Sequence, residues 1–170
     1  MRLSLSLWRA AGLIAAFACL PADALPVANF QVAASIVAGC VVSGSNTGVF
    51  GTLNFGSHSG VATGNFSASY LQSTTLNLAC TPGTAVSMSI DGGANYTSVR
   101  NLKHTSSSNT VAYRLFSNAA LTAPIPINSA IALNYSNANT ITLPVYGQLT
   151  LPGTAQAGTY TDTLTVTLSW

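Results

Sequence analysis

Apolar and polar residues alternate along most of this chain. The alternation is clearest in residues 27–36, 74–80, 86–90, 111–116, 141–146 and 159–170, and a further short strand is predicted at 53–55. Successive side chains of a β-strand point to opposite faces, so this pattern predicts strands with one buried face. Turn-forming residues separate the runs, among them Asp91-Gly92-Gly93 and Pro152-Gly153. Short strands at this spacing predict an all-β chain folded as an antiparallel sandwich.

The first and last runs are the most apolar. Residues 160–170 are predicted to form one continuous strand whose apolar face carries Leu164, Val166, Leu168 and Trp170. Its other face carries threonine and serine. The first run places Phe30, Val32, Ala34 and Ile36 at every second position before Cys40. Two interpretations of this run stay open: it is the first strand of its own sandwich, or it pairs with another chain.

Residues 1–24 are predicted to form a signal peptide. Arg2 and Arg9 supply the positive start, and residues 10–20 form an apolar run too short to span a bilayer. Ala22-Asp23-Ala24 matches the small-x-small cleavage pattern, which predicts a mature chain of residues 25–170. Cys19 raises the alternative of a lipoprotein, but Ala16 stands where a lipobox usually has leucine.

Few charges remain after that cleavage, and there is no glutamate in the chain. Such a neutral surface favours association, and it is not basic enough to bind nucleic acid. Cys40 and Cys80 form an even pair in an exported chain, which predicts a disulfide rather than two free thiols. On the chain-entropy model, closing that loop stabilises the fold by about 4 kcal/mol.

Candidate catalytic and metal-binding groups are scarce. His58 could form a triad with Asp162, but no nucleophile elbow is present, so we predict no enzymatic activity, no metal and no cofactor. Asp91 is assigned to a turn and Asp162 to the polar face of the last strand. The remaining polar candidates, His104, Arg100 and Lys103, are predicted to be solvated. The aromatic residues are predicted to be mainly core.

Several strings, taken in this order, resemble the spore coat protein U domain, and more closely the subunits of Csu-type, archaic chaperone–usher pili. They are IVAGC at 36–40, FGTLNFG at 50–56, IDGG at 90–93, VAYRL at 111–115, LPVYG at 143–147 and AGTYTDTLTVT at 157–167. The resemblance covers residues 27–170. The chain departs from the family in residues 117–133, which lack the usual Trp-Gly pair, and in ending on Trp170.

The resemblance implies an incomplete immunoglobulin-like sandwich that is completed by donor-strand exchange, with residues 25–39 as donor segment and 40–170 as pilin domain. It assigns Phe30, Val32, Ala34 and Ile36 to the donor strand. Leu164, Val166, Leu168 and Trp170 would line the acceptor groove or face the chaperone, and Cys40–Cys80 would be the family disulfide. The implied partners are a periplasmic pilus chaperone, an outer-membrane usher and other pilin subunits.

The function that follows is that of a structural subunit of a surface pilus used in adhesion and biofilm formation. Two alternatives stay open. One is a binding module that contacts surfaces through loops at 43–46 and 122–128. The other is a secreted coat protein that is complete by itself. The predicted location is the cell surface or the medium, reached through the periplasm.

Overall fold

The computed structural model describes residues 31–44, 48–74 and 76–170, and within these ranges every regular element is a strand. Residues 36–170 form one compact unit. The strands are β1 (Cys40–Gly44), β2 (Gly51–Leu53), β3 (Thr63–Gln72), β4 (Leu76–Cys80), β5 (Val86–Ile90), β6 (Arg100–His104), β7 (Thr110–Phe116), β8 (Ile131–Leu133), β9 (Tyr146–Pro152), β10 (Tyr160–Thr161) and β11 (Val166–Ser169). The prediction of an all-β chain is confirmed.

The strands form three antiparallel sheets. The largest has the order β10-β6-β7-β9-β3-β2, the second β11-β5-β8, and the third β1-β4. Apolar side chains from the three sheets meet in one core, whose fully buried members include Leu78, Met88, Ile90, Leu115 and Ile141. Each of these lies in or beside a period-two run, which is why the alternation of the sequence predicts the core well.

Four predicted strands agree with the structure within a few residues, namely β2, β4, β5 and β7. The prediction of a strand at 141–146 is wrong. Ile141, Leu143 and Val145 are buried in alternation, but residues 141–145 are extended without a ladder, and β9 begins at Tyr146. The predicted strand at 27–36 is wrong over residues 31–36, which form no strand, and its first four residues lie outside the described ranges.

The C-terminal strand is divided between two sheets, which corrects the prediction of one continuous strand. Tyr160 and Thr161 pair with β6, whereas Val166–Ser169 pair with β5. Residues 162–165 cross between the sheets. The inward–outward alternation nevertheless continues from Thr161 to Ser169, because the crossing segment stays extended.

Two polar residues predicted to be solvated are in fact buried. Arg100 is 5% exposed, and its guanidinium donates to the carbonyl oxygens of Asp91, Ile125 and Ile90 at 2.8, 2.9 and 3.0 Å. His104 is 8% exposed; its Nδ1 accepts from the Ser106 amide and its Nε2 donates to the Ala157 carbonyl. Main-chain partners replace the water that each group loses on burial. Lys103 is exposed, as predicted.

Cys40 and Cys80 form the predicted disulfide. The two residues are direct partners in the β1–β4 ladder, with their Cα atoms 4.0 Å apart. The bridge therefore fixes β1 to β4 at the point where the chain enters the domain.

Candidate functional site

β11 lies at an edge of its sheet. It pairs with β5 through the register Val166↔Ile90 to Ser169↔Ser87. In the part of the chain that the structure describes, its other side has no partner strand. Such an edge leaves backbone N–H and C=O groups available to another strand.

The inner face of β11, together with Leu164 just before it, is only partly covered. Leu164, Val166 and Leu168 are half-buried and pack against the core, while Thr165 and Thr167 are exposed. Trp170 lies beyond the strand and is 60% exposed, so it is not the core aromatic that the sequence pattern predicted.

A second half-covered wall comes from β2, β3 and the residues around them. Five of its side chains are large and apolar or aromatic, and all five are half-buried: Phe50, Leu53, Phe55, Phe66 and Tyr70. By contrast, the inward side chains of β5 and β7 are buried. Sequence analysis missed this wall as a unit, although the alternation of Phe66, Ala68 and Tyr70 was available to find it.

Tyr113 connects the two half-covered walls. Its ring lies 6.1 Å from that of Phe55, and its hydroxyl donates to Asp162 Oδ2 at 2.6 Å, where the C-terminal chain crosses between sheets. Burial, and then the hydrogen bond to Asp162, raise the pKa of Tyr113 well above its usual range. Tyr113 thus contacts both the half-covered wall that includes Phe55 and the C-terminal chain.

The buried hydroxyl of Tyr70 has no hydrogen-bond partner among the described residues. Burial raises the pKa of Tyr70 to about 12. The ring lies against Gly51, where an added Cβ would come within 2.7 Å of the hydroxyl oxygen. An unpaired buried hydroxyl is costly to the fold, so this wall is not optimised as a closed core.

Asp162 and Asp91 hold the crossing segment in place. Asp162 Oδ1 accepts from the amide of Asn95, and Asp91 Oδ1 accepts from the amides of Gly93 and Thr165. The prediction that Asp91 has a turn role is confirmed. The prediction that Asp162 lies on the polar face is wrong: it is half-buried, because Tyr113 and Asn95 draw it inward.

Residues 31–39, the described part of the predicted donor segment, are extended and form no strand. Val32 is 82% exposed and Ile36 is 88% exposed, and Ala34 is exposed as well. Phe30 lies outside the described residues. The carbonyl of Gly39 accepts from the Thr81 amide just before β1 begins. The chain therefore presents an apolar, extended segment directly before the domain.

The catalytic alternative finds no support in the side-chain geometry. His58 Nε2 donates to the Phe55 carbonyl and its ring lies 3.9 Å from that of Phe66, whereas Asp162 bonds to Tyr113 and Asn95. Among the described residues there is no cluster of three histidine, cysteine or acidic side chains that could bind a metal ion. Over the same ranges, no helix has the length and apolar character needed to span a membrane.

The loop at 122–128 is anchored at its centre. Ile125 is buried, its amide donates to the Leu115 carbonyl, and its own carbonyl accepts from Arg100. The other loop of the binding-module alternative, 43–46, extends beyond the described residues. Anchoring of the first loop gives it a packing role in addition to any contact with a surface.

Comparison with protein families gives a match to the Spore Coat Protein U domain over residues 27–167. The chain belongs to this family. The match covers both the exposed segment before Cys40 and the C-terminal strand, so the two parts of the candidate site lie within one family domain. None of the curated proteins matches the chain.

Two solved structures resemble this chain at low sequence identity. A chain of the CsuC–CsuE chaperone–tip adhesion subunit pre-assembly complex, from archaic chaperone–usher Csu pili of Acinetobacter baumannii, is 19% identical with a TM-score of 0.51. That match covers 79% of this chain and 40% of the other. A chaperone–tip adhesin complex of CFA/I fimbriae is 17% identical over 69% of this chain and 38% of the other, with a TM-score of 0.37. The first of these matches shows a fold of the chaperone–usher pilin type. The chain spans less than half of either matched chain.

Proposed function

We propose that this protein is a structural, non-enzymatic subunit of a chaperone–usher pilus and polymerises by donor-strand complementation. The observation that carries the proposal is a complementarity within one chain. Among the described residues, β11 has a partner strand on one side only and lies beside a half-covered part of the core, while residues 31–36 are extended, largely exposed and in no sheet. Membership of the spore coat protein U family supports the same conclusion.

The donor strand would use alternate side chains. Phe30, Val32, Ala34 and Ile36 share one face of an extended segment, so all four would enter the groove of the next subunit together. Burying each large apolar side chain contributes about 1.5–3 kcal/mol. Main-chain hydrogen bonds to β11 would fix the register, and Leu164, Val166 and Leu168 would line the groove. Trp170 would lie at its end.

Before polymerisation the open groove needs protection, since an exposed apolar edge promotes aggregation. We propose that a periplasmic chaperone lends a strand to β11 and that an outer-membrane usher exchanges it for the donor segment of another subunit. The solved chaperone–subunit complex of Csu pili supports this assignment through the shared fold. The finished fibre would lie at the cell surface, where it would serve adhesion and biofilm formation.

The experiment compares the full-length protein, isolated from cells that also produce the chaperone and usher, with a chain lacking residues 25–35. Both are run on SDS gels without boiling. We expect a ladder of multimers from the full-length protein that heating dissolves, and no ladder from the truncated chain. A full-length protein that stays a cooperatively folding monomer, and that truncation unfolds, would instead identify a self-complete coat or surface-binding protein.

Two variants, with the same charge placed on opposite faces of the segment, control for the general effect of a charge there. Ile36→Asp places a carboxylate on the face that would enter the groove, and Ser35→Asp places the same group on the opposite face. We expect the first variant to abolish the ladder and the second to retain it. Equal effects would mean that the segment does not bind as a β-strand with one buried face.

A further inference from the structure

The outer face of the six-stranded sheet carries a row of polar side chains. Arg114 of β7 pairs with Gln148 of β9, which in turn pairs with Ser67 of β3. In the next row, Tyr146 pairs with Ser69. We call these five residues the outer strip. Arg114, Ser67 and Ser69 are exposed, and Gln148 and Tyr146 are half-buried.

The side chains of the outer strip make no hydrogen bonds or ion pairs with the described residues. None of these five side chains has such a partner within residues 31–44, 48–74 and 76–170. By contrast, the side chain of the neighbouring Thr150 donates to that of Asn65. Directly opposite strand residues lie about 5 Å apart and diagonal ones about 7–8 Å. A guanidinium, an amide, two hydroxyls and a phenol ring are therefore within reach of one small ligand.

A cleft of about 460 Å³ borders the strip. Ser67, Ser69 and Tyr146 line it on the sheet side, and Leu121 closes it from the loop after β7. Leu121 has a backbone φ of 56°, which is unusual for a residue other than glycine. The loop is held by Asn118, whose side chain bonds to Thr122 through both its oxygen and its nitrogen.

The charge of this face is positive and uncompensated. Lys103 and Arg114 are its two exposed cations, on β6 and β7. The acidic side chains of the described residues are Asp91 and Asp162, and both are engaged in the crossing segment. A ligand with negative charge would meet no opposing carboxylate on this face.

We propose that the outer strip binds an anionic polysaccharide, with Arg114 holding a uronate carboxylate. The planar guanidinium fits a carboxylate in two parallel hydrogen bonds. Gln148, Ser67 and Ser69 would bond sugar hydroxyls, and the Tyr146 ring would pack against a sugar ring. A peptide strand is a poorer fit at the centre of the strip, because Gln148 and Tyr146 of β9 are paired with β7 on one side and with β3 on the other and leave no backbone edge there. Two cations are also too few for nucleic acid.

This site uses a different face from the strand-exchange groove. Binding by one subunit therefore does not depend on polymerisation. In a fibre, repetition of the strip along the shaft would add avidity without new contacts. The assay accordingly uses full-length protein of one assembly state, separated by size.

The test measures binding of that protein to immobilised polygalacturonate and to neutral dextran. We expect binding to polygalacturonate alone, and Arg114→Gln should weaken it about tenfold, since a charge-assisted bidentate contact is lost. Arg114→Lys keeps the charge but loses the fork, so it should fall between the wild type and Arg114→Gln. All variants are checked for an unchanged melting temperature, as expected for an exposed side chain.

Lys103→Gln is the matched control. It removes the same charge from the same sheet face, roughly 14 Å away at 3.4 Å per strand residue. We expect it to weaken binding by less than about threefold, as a long-range charge effect should. Equal losses from Lys103→Gln and Arg114→Gln would reduce the effect to net charge and overturn the site. Absence of binding, or equal binding to dextran, would overturn it as well.

Discussion

Two tyrosines on the inner face of the large sheet differ in what their hydroxyls do. Tyr113 donates to Asp162 and so ties β7 to the C-terminal chain at its crossing between sheets. Tyr70 buries a hydroxyl without a described partner. A buried hydrogen bond to a charged group contributes about 1.5–3 kcal/mol, whereas an unpaired buried hydroxyl costs about 1–3 kcal/mol. The same substitution at the two positions should therefore have opposite effects.

We predict that Tyr113→Phe lowers the free energy of unfolding by about 2 kcal/mol, because Asp162 loses a charge-assisted bond. Tyr70→Phe should leave the free energy of unfolding unchanged or raise it. Urea denaturation of the two full-length variants measures both values. A loss of stability in Tyr70→Phe as large as that in Tyr113→Phe would show that the Tyr70 hydroxyl has a partner of its own.

The same two side chains predict a decline of stability in alkali. Burial raises the pKa of Tyr70 to about 12 and raises that of Tyr113 further. In the unfolded chain both phenols lose a proton near pH 10. A raised pKa in the folded state means that the contribution to stability is complete below about pH 10 and is lost as the pH rises toward the folded value. Unfolding free energies measured from about pH 9 to 11 should fall, and Tyr70→Phe should reduce the slope.

Two separate features favour glycine at position 93: its backbone angle and the lack of space for a side chain. Its φ is +86°, and an added Cβ would collide with the Asp162 carboxylate. Gly83 has nearly the same φ, +82°, but open space around it. We predict that Gly83→Ala costs about 1 kcal/mol from backbone strain and that Gly93→Ala costs at least about 2 kcal/mol more. Equal melting temperatures for the two variants would contradict the close approach of Asp162.

Sequence patterns could not reveal which polar residues would be buried. Arginine and histidine side chains such as those of Arg100 and His104 are usually solvated. Their burial depends on carbonyl groups of Ile125 and Ala157, which are distant in sequence and come close only in the folded chain. Asp162 was misassigned for the same reason, since Tyr113 lies 49 residues away.

At the scale of the element, the sequence predicted those strands in which large apolar residues alternate regularly with polar ones. β5 and β7 fit because their inward residues are large and apolar. β3 was missed since Ser67, Ala68 and Ser69 weaken its pattern, and β6 was missed because its inward residues include Arg100 and His104. The donor and acceptor roles assigned to the two chain ends remain predictions.

The free edge of β11 gives a prediction with an internal control. Val166 is half-buried and faces the core, while Thr167 is exposed on the opposite face. Val166→Asp should abolish capture of the subunit by the chaperone, since a carboxylate would be buried in the groove without a partner. Thr167→Asp should be captured at the wild-type level. Co-purification with a tagged chaperone measures both, and equal capture would place the groove elsewhere.

At the scale of the whole molecule, one part of the domain is held by a disulfide and several side-chain hydrogen bonds, whereas another part has a half-covered core. The disulfide fixes β1 to β4, and Arg100, Asp91 and Asp162 fix the ends of β5 and β11. The walls from β2, β3 and β11 are left half-covered. A domain of this kind is expected to gain stability when a further strand fills the half-covered side.

The most direct measurement asks whether the strand and the groove belong to different chains. Two alleles are co-expressed with the chaperone and usher: one carries a photo-crosslinking amino acid at Ile36, and the other carries Thr167→Ser as a mass label. After irradiation of the surface fibre, cross-linked peptides are identified by mass spectrometry. We predict that the segment of the first allele is joined to C-terminal peptides bearing the label of the second. Cross-links confined to unlabelled C-terminal peptides would mean that each chain completes itself, and would contradict donor-strand complementation.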